Sequence, residues 1–169
     1  MPNSLLDPRV AVYTGTFDPV HRGHLDLIDR GRRLFDRLIV GVGINPDKTT
    51  FFDIDERVRL IEAVTTGFDN VQVLKFDGLT VRCVREAGAR IMLRGLRTLS
   101  DMEYEFTMSL MNRNLDSEIE TVFLMAKEEY SHVSSSLLRQ IAALGGDLSK
   151  FLPDAVKGPL IERARRPAG

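Results

Sequence analysis

Five short runs of β-branched and aliphatic residues alternate with longer stretches of helical period, and this alternation restricts the possible folds more than any other feature of the chain. The runs are RVAVYT (9–14), RLIVGVGI (37–44), VQVLKF (71–76), RIMLRG (90–95) and IETVFLMA (119–126). They are nearly continuous in apolar residues, as expected of strands buried on both faces. Between them, residues 22–35 place Leu25, Ile28 and Phe35 at helical spacing, and 55–66 place Val58, Ile61 and Thr65 likewise. Residues 79–88, 99–113 and 134–144 follow the same period. The order predicts an α/β fold: a doubly wound, five-stranded parallel sheet with right-handed crossovers and helices on both faces. Gly145 and Gly146 predict a helix end, and a last helix is expected from Pro153 into ERARRPAG. The 169 residues suit a single domain, with 1–8 as an N-terminal extension and about 153–169 as a C-terminal helix and tail.

In such a sheet, ligands bind beyond the carboxyl ends of the strands, where helix N-termini converge. The loops there read GTFDPVHRGH, NPDKTTFFD, RGLRT and KEEYSHVSSS. Gly15 leaves a strand and leads into a helix opening near Arg22, so the backbone is expected to turn tightly and approach a ligand. That helix start offers free N–H groups and the positive end of a dipole, which suit a phosphate, and Gly23 removes bulk where an anion would sit. His24 can donate to a phosphate oxygen there. Spacing alone equally allows His21 and His24 to be exposed helix-start residues. A metal pair is disfavoured, because only His132 and Cys83 remain as soft donors. Neither G-x-G-x-x-G nor G-x-x-x-x-G-K-[ST] occurs.

The other loops supply possible company for a phosphate. VSSSLLR (133–139) sets three hydroxyls at a helix start, where ordinary capping needs one. RGLRT places Arg94 and Arg97 around a glycine, as a cationic fork or as solvated surface charge. Lys48 and Glu105 read by default as exposed charges. A net charge of −1 and a pI near 6.3 argue against a nucleic-acid surface. No stretch approaches the roughly 18 apolar residues of a membrane span. The opening MPNSLLDPRV lacks the pattern of a signal peptide, and the single cysteine, Cys83, reads as core in a reducing compartment. A cytoplasmic protein is expected.

YTGTFDPVHRGH together with VSSSLLR resembles the nucleotidylyltransferase superfamily that shares its HxGH element with class I aminoacyl-tRNA synthetases. Within it, the chain resembles the pantetheine-phosphate adenylyltransferases through GTFDP, NPDK, FxxxERVxLI (52–61), RGLR, DMEYEF, MNRNL (111–115) and YSHVSSS, in order over about residues 9–153. The resemblance implies a Rossmann-like fold and direct adenylyl transfer from ATP to 4'-phosphopantetheine, giving dephospho-coenzyme A and pyrophosphate with Mg2+ assisting. It implies His24 as the group stabilising the α-phosphate transition state, Thr16 at the meeting point of both substrates, and Phe17 as backbone beside the nucleotide. Lys48 and Arg94 would hold the pantetheine phosphate and Thr80 would line the pantetheine arm. Gly95, Leu96, Arg97, Glu105, Tyr130, Ser131, His132, Val133, Ser134, Ser135 and Ser136 would bind ATP, with no dedicated protein metal site. A homohexamer and feedback inhibition by coenzyme A are implied too. Thr14 stands where many members have proline, His132 where many have an aromatic residue, Thr80 where an apolar residue is common, and His21 where threonine is frequent. Catalysis is therefore assigned to His24, with His21 in a helix-start or supporting role. The alternatives are a sister nicotinamide mononucleotide adenylyltransferase or cytidylyltransferase, in which RGLR with DxEYE is unusual, and a non-catalytic nucleotide-binding protein.

Overall fold

In a computed structural model, residues 5–44 and 49–165 are described. The five expected strands are all present: β1 (Asp7–Gly15), β2 (Arg37–Ile44), β3 (Val71–Asp77), β4 (Ala89–Leu96) and β5 (Glu120–Met125). They pair in parallel in the order β3-β2-β1-β4-β5. The chain winds outward from β1 to β3, crosses back to lay β4 against β1, and continues to β5. The carboxyl ends of β1 and β4 therefore form the switch point at which a crevice opens. β1 starts at Asp7, whose N–H donates to Gly88 O at 2.9 Å, so the last two residues of the expected N-terminal extension belong to the sheet.

Alternate residues of β1 feed two cores. Ala11 and Tyr13 pack with Leu38, Val40 and Leu93 beneath α1 (Arg22–Gly31), α2 (Ile54–Thr65), α5 (Ser135–Ala143) and α6 (Asp154–Ala164). Val10 and Val12 pack with Ile39 and Met92 against α3 (Thr80–Glu86), which contributes Val81, Cys83 and Val84. Burial pushes the Cys83 thiol up to about 11, the behaviour of an inert core cysteine. Ile28 on α1 and Ile61 on α2 are fully buried, as their spacing predicts.

α1 is shorter than the period suggests, ending at Gly31 rather than continuing to Phe35. The N–H groups of Arg33 and Leu34 bond three residues back, to Arg30 O and Gly31 O, which tightens the chain into a turn. Phe35 still packs on the core from beyond that turn. α5 ends where the glycine pair predicts: Gly145 and Gly146 donate to Ala142 O and Ile141 O, closing the last turn. α4 (Leu99–Leu115) differs from the other helices. Its one buried residue is Glu105, while Leu99, Tyr104, Phe106, Leu110, Met111 and Leu115 are exposed.

Candidate active site

The crevice between β1 and β4 is a cavity of about 490 Å3. One wall is the β1–α1 turn and the start of α1, from Thr14 to His24. The facing wall carries Arg94, Gly95, Arg97, Asp101 and Glu105, and Ser134, Ser135 and Ser136 close the end with Tyr130 and Arg139.

The β1–α1 wall is built around stacked rings. His21 is the N-cap of α1, and its Nδ1 accepts from His24 N–H at 3.3 Å. His24 Nδ1 accepts in turn from His21 N–H at 3.2 Å. This reciprocal cap satisfies two of the free donors of the helix start with imidazoles in place of the usual hydroxyl and carboxylate. The rings stack with centroids 3.6 Å apart at 22°, and the edge of Phe17 meets His24 at 4.9 Å. His21 is buried rather than exposed, and burial followed by the Arg97 charge pushes its pKa down to about 3. Burial, then His21, Arg97 and Arg94, holds His24 well below its ordinary value. Both rings are neutral at physiological pH.

The glycines here make room for the aromatic rings, and both also line the cavity. A Cβ at Gly15 would lie 2.9 Å from Phe17 Cζ, and one at Gly23 would lie 3.0 Å from the His21 ring. The tight turn falls instead on Phe17, whose φ of 50° is uncommon for a residue with a side chain and concentrates at functional sites. Phe17 is buried and lines the cavity.

Three residues to which sequence reasoning gave no role hold this turn. Buried Asp18 accepts Phe51 N–H at 2.7 Å and Phe52 N–H at 2.8 Å, and Arg139 of α5 donates to its carbonyl. Arg57, only 3% exposed, donates to Thr16 O at 2.8 Å, Gly43 O at 3.0 Å and Phe52 O at 3.2 Å. One guanidinium thereby ties the β1 turn, the end of β2 and the segment before α2 together. The peptide bond before Pro19 is cis.

On the facing wall the two arginines do not form the open fork that RGLRT suggests. Arg94 grips Glu105 through two bonds of 2.8 and 2.5 Å and donates to Thr14 O at 2.5 Å. Arg97 pairs with Asp101, with Nε at 3.0 Å, and donates to Val133 O at 2.6 Å. Each cation has its own carboxylate, and Glu105 is a buried partner rather than surface charge. Among the three serines, Ser134 caps α5 through Leu137 N–H, Ser135 donates to Pro19 O at 2.8 Å, and Ser136 accepts from Arg139. Ser135 thus fastens α5 to the β1–α1 turn, Ser136 braces Arg139 within α5, and all three serines still line the cavity.

Of the remaining sequence-predicted site residues, Thr16, Phe17, Gly95 and Tyr130 line the cavity. Leu96 and Val133 are buried beneath it, Ser131 donates to Glu128 O, and His132 is exposed with its ring edge-on to Phe151. Thr80 opens α3 and lines a second cavity of about 140 Å3 with Met92, Tyr104, Met108 and Asn112. Thr14, Arg94 and Glu105 line both cavities, which makes them neighbours. Lys48 lies outside the described residues, although Thr49 and Thr50, which follow it, line the larger cavity.

Comparisons with known proteins agree with this geometry. A family model described as cytidylyltransferase-like matches residues 12–141. A phosphopantetheine adenylyltransferase of Clostridium botulinum (strain Eklund 17B / Type B) is 48% identical over 93% of this chain and 99% of its own. That of Rhodopirellula baltica is 54% identical over 88% of this chain and 84% of its own. Among solved structures, a bifunctional NMN adenylyltransferase/ADP ribose pyrophosphatase from Francisella tularensis superposes with a TM-score of 0.72 at 13% identity. It shares the fold over 94% of this chain, which spans 50% of that protein. With half-identical relatives aligned over most of both lengths, the chain belongs to the phosphopantetheine adenylyltransferase family, within the cytidylyltransferase-like nucleotidyltransferases.

Proposed function

We propose that this chain transfers the adenylyl group of ATP to 4'-phosphopantetheine, giving dephospho-coenzyme A and pyrophosphate in coenzyme A synthesis. The observation that carries the reading is a cavity at the β1–β4 switch point, lined by His24, Thr16, Arg94, Arg97 and the serine-rich start of α5, in a chain of this family. The nucleotide fits the larger cavity, against Phe17 backbone, Gly95, Arg97, Glu105, Tyr130 and the segment Ser131–Ser136, with Leu96 supporting the floor. The pantetheine arm fits the smaller cavity beside Thr80, and its phosphate reaches Arg94, which lines both cavities, and Thr16 of the larger one. Lys48, outside the described residues, is the second cation we assign to that phosphate.

The reaction asks for little covalent work from the protein. A phosphate oxygen of phosphopantetheine attacks the α-phosphorus as the bond to the bridging oxygen breaks, and the electron pair leaves with pyrophosphate. The nucleophile is already an anion and the leaving group is a stabilised one, so neither general base nor general acid is required. Catalysis is then positioning plus charge stabilisation, with a His24 N–H donor at the α-phosphate.

Mg2+ is best read as part of the nucleotide substrate. The cavity carboxylates Asp18, Asp101 and Glu105 are each engaged by an arginine or by backbone N–H groups, and no cluster of three metal-binding side chains occurs among the described residues. The same pairing leaves Arg94, Arg97 and Arg139 matched by carboxylates, so a polyanionic nucleotide benefits from a cation of its own. Coenzyme A, which joins both halves of the product, would occupy the same two cavities as a feedback inhibitor. The exposed apolar face of α4 supports a homo-oligomer, read as a hexamer, since contiguous apolar surface marks partner sites. No helix among the described residues is long and apolar enough to cross a membrane.

Incubation with Mg2+, ATP and 4'-phosphopantetheine, scoring pyrophosphate and dephospho-coenzyme A, tests the reading. Turnover is expected with that acceptor and not with nicotinamide mononucleotide, nor with CTP as donor. The converse selectivity would assign the chain to a sister reaction, and binding without turnover would make it a nucleotide-binding protein.

A further inference from the structure

We propose that His21 is a positioning residue for His24: its main-chain N–H holds the only proton of the neutral His24 ring on Nε2, and its side chain caps the helix start and fixes the ring plane, so that His24 acts as a fixed hydrogen-bond donor and never as an acid. The inference deepens the proposed function, on which it relies for the reaction but not for the protonation pattern.

The pattern follows from the cap. A ring nitrogen that accepts a backbone N–H carries no proton, and both Nδ1 atoms do so, at 3.3 and 3.2 Å. The single proton of each neutral ring therefore resides on Nε2, which has no partner among the described residues, and both rings line the cavity. Protonating either Nδ1 would set an N–H against an N–H at the helix start and lose the cap. Ring planes at 22° and 3.6 Å make two adjacent cations costlier still.

The surroundings point the same way. From β4 and the turn after it, His24 faces Arg94 and Arg97, whose carboxylates Glu105 and Asp101 are taken up in pairing them. Tyr13 of β1 has its phenol pushed up to about 12 by burial and remains neutral. A short 3-10 turn, Glu128–Tyr130, supplies Tyr130, and the start of α5 supplies neutral serines. His21 also fixes the ring plane. It presses on one face of His24 while the Phe17 ring meets it edge-on at 4.9 Å, and it fills the space that Gly23 leaves open. A donor fixed in tautomer and plane suits a transfer in which no proton moves.

Nitrogen NMR of 15N-histidine-labelled protein reads the tautomers directly, with His21→Asn and His132→Gln giving the assignments. The expected result is one protonated nitrogen, Nε2, on both rings, unchanged from about pH 8 to pH 5, a range in which an ordinary histidine titrates. A proton on Nδ1, or titration of either ring in that range, overturns the proposal. Enzyme kinetics supply the second readout. His21→Thr keeps a side-chain acceptor for His24 N–H, whereas His21→Leu removes it. Expected is kcat within about threefold for Thr, about tenfold lower for Leu, and KM for ATP less affected than kcat. Equal kcat in both variants, or a change in melting temperature alone, contradicts the positioning role. If His21→Leu does not fold, the wild-type spectrum decides. If the spectrum is as expected but no adenylyl transfer occurs, the proposed function fails and the protonation pattern stands.

Discussion

The two walls of the cavity are held by different physics. The β1–α1 wall is fixed by backbone geometry, stacked neutral rings and buried groups that bond main-chain atoms from distant segments: Asp18 to Phe51 and Phe52, and Arg57 to three carbonyls. The β4–α4 wall is held by ion pairs between side chains, Arg94 with Glu105 and Arg97 with Asp101, on a helix whose outer face is bare. A wall of the first kind cannot exchange partners without local unfolding. A wall of the second kind can trade a carboxylate for a phosphate. The contrast fits a site whose donor must stay fixed while its cations meet and release anionic substrates.

Removing the fixed donor has the largest expected effect. His24→Ala should lower kcat about 10²- to 10³-fold, the usual loss for one transition-state donor, with ATP affinity within a few-fold in equilibrium binding. An unchanged kcat would deny the wall its catalytic part. Arg57→Met leaves three carbonyls without their donor and should cost about 2–4 kcal/mol in urea unfolding. The same measurement on Arg97→Met should give a smaller loss, about 1 kcal/mol, because the Arg97–Asp101 pair is the more exposed one on the facing wall. Stability losses in the reverse order would erase the distinction between the walls.

The histidines also give the first wall a pH signature. His21 stays neutral in the folded protein down to about 3 and titrates near 6.5 when unfolded. The unfolded chain therefore binds more protons between these values, and stability is lost as pH falls through that window and is full above it. The urea midpoint should drop from pH 7 to pH 5 more in the wild type than in His21→Asn. An equal drop would mean that His21 is protonated in the fold. The smallest effect is expected on the outer face of α4, where Leu110→Lys should change the unfolding free energy of the isolated subunit by no more than about 0.5 kcal/mol. Sedimentation should nevertheless show a smaller assembly, and an unaltered assembly would locate the subunit contact elsewhere.

How far each wall was legible in the sequence follows from the same contrast. Strands buried on both faces announce themselves as apolar runs, and β2 spans the predicted residues 37–44. The loops at their carboxyl ends were legible for the same reason, and the motifs in them drew attention to His24, Arg94, Arg97 and the serines. What could not be read was pairing over long separations. Asp18 and Arg139 meet across 121 positions. Arg57 stands beside Val58 on a helix whose period marks only the apolar letters, so a buried guanidinium reads as surface charge. The arginine fork failed because nothing local reveals that Glu105 folds back on Arg94. The His21–His24 cap spans only three residues, but a capping box is sought as a hydroxyl paired with a carboxylate, and two imidazoles do not match that search. The period over 99–113 marked α4 as a helix but not which face would stay uncovered, since apolar residues surround much of it.

The central claim is that the adenylyl group passes directly from pyrophosphate to phosphopantetheine, on a surface that donates hydrogen bonds and takes no covalent part. The candidate nucleophiles fit that claim. Both His Nδ1 atoms are occupied, the three cavity serines are hydrogen-bonded, and Cys83 is buried in the core on the α3 side of the sheet. The most direct test is the stereochemical course at the α-phosphorus, using ATP made chiral there by sulfur in place of one non-bridging oxygen. A single in-line displacement predicts inversion in the dephospho-coenzyme A product. Retention would require an adenylylated enzyme and would contradict the account.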